Sequence, residues 1–375
     1  MKVAVLGAGG TIGRAIVRDL ADSTEVAQML LLDLDGPAVR RVADEQGGGK
    51  GTPVTLDGRR DLPGVIDGCD VLLNAASYRI NLEAMDAALA AGCHYIDLGG
   101  LYWMTAAQLE LDERFVAANL LGLLGMGAAP GKTNVMAALA VGELGGEPVQ
   151  EILVSAAGRD PLAGGPGLRL PYALRTLIDE LTMAAVVLRD GTAVELPAGS
   201  SGGSVDFPDP IGRAQTIYTL HSELQTFGRS FGAKQASFRL SLAPALLRRL
   251  DELVGASDDE LAAVAADSLP PSKDAIAAHV VEARSVTGRV ARVTAVNRPM
   301  ADWGLGGGIV STAAPAAAAV RLIARGKITA VGVVAPEFCV DPADLFPELG
   351  RRNCVFGVDV RDGDPADRVR PQVSS

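Results

Sequence analysis

From Met1 to about Gly127 short apolar runs alternate with helical periods. The runs cover residues 2–6, 29–32, 54–56, 71–73, 94–96 and 120–126, and most are apolar throughout instead of alternating. Between them Ile12, Ile16 and Leu20, and later Leu82, Met85 and Leu89, fall on single helical faces. Strands without a polar face, separated by single helices, predict a parallel sheet covered on both sides. The expectation is a Rossmann-type, doubly wound α/β domain over residues 1–127.

After Pro130 the rhythm changes. Residues 151–157, 214–219 and 237–242 predict strands, and 172–183, 244–254 and 258–268 predict helices. Asp190-Gly191 and Thr287-Gly288 each separate two apolar runs, which is a hairpin signal. The Gly/Ser-rich stretch 198–210 reads as a loop. Hairpins mixed with grouped helices predict a second, α+β domain with a mixed or antiparallel sheet, residues 128–304. An Ala-rich helix over 309–324, closed by Arg325-Gly326, is expected to pack back so that 305–375 completes the first domain. The polar tail 363–375 is expected to fray.

Composition adds limits. A chain of 375 residues exceeds what one core usually holds, in keeping with two domains. Aromatics are only 4% of residues, so the core must rest on Ala, Val, Leu and Ile. A net charge of −11 disfavours nucleic acid and anionic membrane surfaces as partners. Cys69, Cys93, Cys339 and Cys354 have no paired spacing and read as buried thiols in a reducing compartment. His94, His221 and His279 lack ligand spacing, so no metal is expected, and His94 and His279 read as structural. No uncharged apolar run reaches ~18 residues and the N-terminus is a strand, so a cytoplasmic protein is expected.

The first strand runs into Gly7-Ala8-Gly9-Gly10-Thr11-Ile12-Gly13 and then an amphipathic helix. Such a turn lets a pyrophosphate approach the backbone and the helix N-terminus, although the glycine spacing is one residue longer than the common fingerprint. Asp33 follows Gly13 by twenty residues, at the end of the second strand. A carboxylate there accepts bonds from the adenosine ribose and repels a 2′-phosphate, favouring NAD over NADP, while Arg40 and Arg41 follow on the next helix. Asp35 reads as a helix cap. Asp57 is placed to reach the adenine edge, and Asn74, Ala75, Ala76 and Ser77, with Leu98 and Gly99, are placed to carry the cofactor's second half.

The stretches 74–78, 95–100, Gly127-x-x-Pro130-Gly131-x-x-Asn134, 220–223, 229–231 and Gly332-Val333-x-x-Pro336-Glu337 resemble the saccharopine dehydrogenase-like oxidoreductases, nearest to the lysine 6-dehydrogenases. The chain departs from the latter at 103–105, at 220–224 and at Lys132. The resemblance implies a nicotinamide-binding domain, a substrate and dimerisation domain, a homodimer, and hydride transfer at a carbon bearing nitrogen.

That chemistry needs a base for an ammonium proton and a dry path for hydride. His221 is the leading acid/base candidate, with Glu223 beside it; a capping cluster is the alternative. Lys132 sits at a helix N-terminus, where a cation is disfavoured, so a base, a carboxylate holder or a solvated lysine are all open. Tyr78 follows a strand of the parallel sheet and is the fourth catalytic candidate. Asp97, Trp103, Arg213 and Arg229 are substrate-binding candidates, the arginines as carboxylate clamps. The expected function is NAD-dependent, lysine 6-dehydrogenase-like oxidation of an amino acid or amine. Saccharopine-type or carboxynorspermidine-type imine reduction and a non-catalytic NAD-binding redox sensor are the alternatives.

Overall fold

The computed structural model describes residues 1–163 and 165–362. Its strands in chain order are β1 (Lys2–Leu6), β2 (Gln28–Asp33), β3 (Gly51–Thr55), β4 (Val71–Asn74), β5 (His94–Asp97), β6 (Leu121–Leu123), β7 (Val149–Arg159), β8 (Ala185–Arg189), β9 (Thr192–Leu196), β10 (Ser201–Asp206), β11 (Arg213–Tyr218), β12 (Gln235–Ser241), β13 (Ile276–Ser285), β14 (Val290–Asn297), β15 (Gly332–Val334) and β16 (Cys354–Arg361).

Seven strands form the first sheet in the order β15-β6-β5-β4-β1-β2-β3, all paired in parallel. The central strands are apolar because helices cover both faces: every residue of β4 is buried, whereas no residue of the edge strand β3 is. The order reverses between β1 and β4, which opens a crevice at their carboxyl ends. The second sheet is mixed: β10-β11-β12-β7-β13-β14-β16, with the β8–β9 hairpin paired to β12. Only β12 and β7 run parallel; their neighbours are antiparallel. Both predicted hairpins form, β8–β9 and β13–β14.

Three boundaries differ from the sequence reading. The stretch 198–210 contains β10, whose register shifts at Ser201/Gly203 as it pairs with β11; the glycines that read as loop permit a bulge. The run 120–126 is a strand only to Leu123, because Gly125 turns at φ +65°. The segment 305–375 divides between the two sheets. β15 and the helix Gly307–Ala324 join the first domain, whereas β16 pairs with β14 as the edge of the second sheet. The tail 363–375 lies outside the described residues.

Helix Gly307–Ala324 is long and apolar enough to cross a bilayer, yet 78% of it is buried within the protein. It packs on helix Thr11–Ala21. Arg321 fixes it there, donating from Nε to Glu348 (2.9 Å) and from a terminal nitrogen to Asp19 (2.9 Å), both buried. Arg352 also reaches Asp19 (2.5 Å). Removing one partner of such a pair strands the others' charge. Arg321→Met is expected to cost about 3 kcal/mol of stability, read as a lower midpoint of chemical unfolding; an unchanged midpoint would show that Arg352 alone suffices.

Candidate active site between the two sheets

The glycine turn is built for close approach. Gly7 has φ +79° and donates its N–H to the Leu32 carbonyl at 2.8 Å. A Cβ on Gly13 would lie 2.0 Å from the Gly7 oxygen, so only glycine lets the first helix meet the strand. Gly10 precedes that helix, Thr11 begins it, and no acid occupies its first turn, so its N–H groups face the crevice uncompensated. Asp33 is held in place from two sides: the Gly9 N–H donates to Oδ2 (2.8 Å) and the Asp35 N–H to Oδ1 (3.0 Å). Asp35 itself caps the next helix through the Ala38 N–H (2.9 Å). A cradle without side chains, next to an oriented carboxylate, fits a dinucleotide: the loop 7–13 for the pyrophosphate and Asp33 for the ribose.

The remaining cofactor candidates separate by burial. Ile12, Ala75, Ala76, Leu98 and Gly99 line a cavity of about 320 Å³ between the two sheets. Asn74 faces inward instead, donating to Asn81 (2.9 Å) and accepting from the Ala76 N–H (3.0 Å), so it shapes the loop from behind. Ser77 caps the short turn after it. Asp57 caps its own turn through the Arg59 N–H (3.1 Å).

Across the cavity stands a group of buried titratable side chains. His221 and Ser222 line it, with the His221 ring stacked on Phe238 at 3.5 Å between centroids. His221 Nδ1 pairs with buried Glu223, whose other oxygen accepts from the Thr133 hydroxyl (2.7 Å). Burial would lower the imidazole pKa, but the Glu223 charge more than reverses this, so His221 titrates above its ordinary range. Glu180, on helix Leu174–Thr182, also lines the cavity and accepts the Tyr172 hydroxyl. Burial lifts its carboxyl to about 7, against the opposing pull of His221. Tyr78 reaches the cavity from the first domain, its hydroxyl donating to Asp179 on the same helix (2.7 Å). A buried carboxyl lifted to about 7 and a buried imidazole raised by its carboxylate partner, in one cleft, suit proton transfer at a nitrogen.

Residues 3–123 match the family model of the saccharopine dehydrogenase NADP binding domain. A carboxyaminopropylagmatine dehydrogenase from Synechocystis is 26% identical over 261 residues, 66% of this chain and 64% of the relative. The match therefore spans less than two thirds of that relative's length. The solved saccharopine dehydrogenase (L-Glu forming) of Saccharomyces cerevisiae superposes with a TM-score of 0.68 at 14% identity, over 96% of this chain and 99% of that one. The N-terminal third thus matches a saccharopine dehydrogenase NADP binding domain, and the whole chain shares the fold of the yeast enzyme.

Four substrate candidates stand elsewhere than expected. Asp97 is buried and saturated, accepting from Gln108, Asn81 and the Gly99 and Gly125 N–H groups; it organises loops and does not meet the cavity. Trp103 is 51% exposed and packs edge-on against Tyr102, away from the cavity, because its helix buries the opposite face. Arg213, on β11, and Arg229, in a short helix, are exposed and do not line it. Lys132 is fully buried, excluding the solvated reading, and bonds Asn297 and Ser311.

Other residues take the vacant places. Glu180, Tyr172, Arg169 and His279 all line the cavity. Asp179 and Glu180 lie off the apolar stripe Leu174, Leu177, Ile178, Leu181, where acids are ordinary, so the sequence carries no mark that both become buried. His279 carries no mark either: its β13 neighbours differ little from those of a structural histidine.

Proposed function

We propose that the protein is an NAD-dependent oxidoreductase acting at the C–N bond of an amine that carries a carboxyalkyl substituent. The observation that carries this reading is the meeting, in one cavity, of the glycine-loop crevice with the buried groups His221–Glu223 and Glu180–Tyr172. The cofactor, when bound, accepts or donates the hydride. The chain's residues handle the proton. In the oxidising direction the Glu180 carboxylate takes a proton from the substrate ammonium, leaving the neutral amine that can lose hydride. His221, held by Glu223, which Thr133 in turn fixes, then takes the proton of the water that adds to the resulting imine carbon, and the amine departs with the proton that Glu180 returns. Imine reduction is the same path reversed. Phe238, Ala156 and Leu240 keep the floor apolar.

Two relatives support the substrate class, one named for a carboxyaminopropyl-substituted agmatine and one for saccharopine with L-Glu as product. Arg169, half-buried at the rim and donating to the Pro270 carbonyl at 2.6 Å, offers a cation for a distal carboxylate. Arg159, which donates to the Pro210 carbonyl, lines the same cavity. Lysine deamination is the second reading, favoured by the absence of Arg213 and Arg229 from the cavity. NAD is preferred because Asp33 faces the ribose position, although the family's domain is described as NADP binding.

A panel assay separates these readings: purified protein with NAD or NADP is offered saccharopine, carboxyaminopropylagmatine, lysine, ornithine and diamines, following cofactor reduction optically. Turnover of the substituted amines is expected. Turnover of lysine alone would transfer the conclusion to deamination, and none at all, with NAD still bound, to a sensor. Because Glu180 must be ionised to accept the proton, the oxidative kcat/KM is expected to rise as pH increases through about 7. In Glu180→Gln it should fall at least ~100-fold and lose this limb, a typical weight for general-base loss; an unchanged pH profile would remove Glu180 from the reaction. Asp33→Ala is expected to weaken NAD about tenfold and NADP less, measured by calorimetry. Equal loss of both would argue against the NAD assignment.

A further inference from the structure

This inference deepens the reading above and rests on it for the identity of the ligand. Lys132 opens the helix Lys132–Gly142, with no acid in that first turn and no solvent exposure. Its ammonium donates to Asn297 Oδ1 and to Ser311 Oγ, and among the described residues no carboxylate pairs with it. Burial pushes the Lys132 pKa down, so the ammonium form is costly among neutral partners unless a bound anion brings the negative charge.

The neighbouring groups face where such a charge would enter. Ser311 lines the cavity, and since its oxygen already accepts from Lys132, its hydroxyl proton is free to donate elsewhere. His279, buried on β13, lines the same wall, and its Nδ1 is buried without a hydrogen-bond partner. Burial and the Lys132 charge hold its pKa well below the ordinary range, so the ring is neutral and offers one donor and one acceptor. The eighteen-residue helix Gly307–Ala324 starts here too. Gly308 lines the cavity, a Cβ there would meet nothing within 4 Å, and the first turn holds no acid. The positive end of that helix adds to the field of Lys132.

We infer that Ser311, His279 and the first turn of helix Gly307–Ala324 form a carboxylate subsite, with Lys132 behind Ser311 supplying the compensating charge. Lys132 is a positioning residue that acts through Ser311. The substrate's carboxylate seats on this wall while its amine faces Glu180 and His221, so the cavity sorts the two ends of an amino acid by charge.

The test uses the full chain saturated with NAD and two probes of equal length, glutarate and uncharged glutaramide, with binding followed by calorimetry. Glutarate is expected to bind at least tenfold tighter than glutaramide. Ser311→Ala and His279→Gln should each abolish most of that difference with NAD affinity changed less than twofold. Lys132→Met should do the same, and if it fails to fold, the two other variants decide. With any substrate from the panel, the same changes should raise KM tenfold or more and lower kcat less than threefold. Glutarate binding that survives Ser311→Ala and His279→Gln, or that competes with NAD, would overturn the subsite. Carboxylate binding that depends on Ser311 in a protein that turns over no amine would uphold the subsite and overturn the catalytic reading instead.

Discussion

The carboxylate of Asp97 holds the crossover between the two sheets. One oxygen accepts the N–H groups of Gly99 (2.9 Å) and Gly125 (2.6 Å), while the other accepts the amides of Gln108 (2.6 Å) and Asn81 (3.2 Å). Burial drives its pKa upward, and these donors work against that shift by favouring the charged form. The two loops it ties both press against Pro130: a Cβ on Gly99 or Gly125 would come within 2.7 Å of that ring. The turn so fixed delivers Ala128, Ala129 and Pro130 to the cavity wall and starts the helix that carries Lys132 and Thr133. An acid that touches no ligand thus sets where the second domain begins.

From that crossover the two sheets are joined by polar contacts between residues far apart in the chain. Tyr78 and Arg79 meet Asp179. Asn134, Thr226 and Ser230 all donate to Glu337, whose burial raises its pKa despite them. Lys132 reaches Ser311. Each contact ties segments far apart in the chain, so the distance between the glycine turn and the His221–Glu223 pair is held by directional bonds and not by apolar packing alone. This matters for hydride chemistry, where a small misplacement is costly in rate.

The cavity wall is electrostatically graded. One wall carries Glu180, lifted to about 7 by burial, and the His221–Glu223 pair, whereas the wall of Ser311 and His279 is backed by the buried Lys132 and a helix start. Low dielectric sharpens the contrast, because neither side is relieved by water.

Much of the first domain was legible because its signals are local. A strand, a glycine turn and a helix occupy consecutive residues, and Asp33 ends the very next strand; sterics within a few residues dictate Gly7 and Gly13 whatever surrounds them. Hairpin turns at Asp190-Gly191 and Thr287-Gly288 were legible for the same reason, as was the pairing of His221 with Glu223, two residues apart. What local sequence could not decide was which side chains from distant segments share a space. Arg213 and Arg229 carry the right chemistry on the wrong faces. His279 looks structural until β13 is laid beside β7, and Lys132 looks solvated until Asn297 and Ser311, more than 160 residues away, close over it. Conformation follows from neighbours along the chain, but burial, and with it charge state and ligand access, follows from neighbours in space.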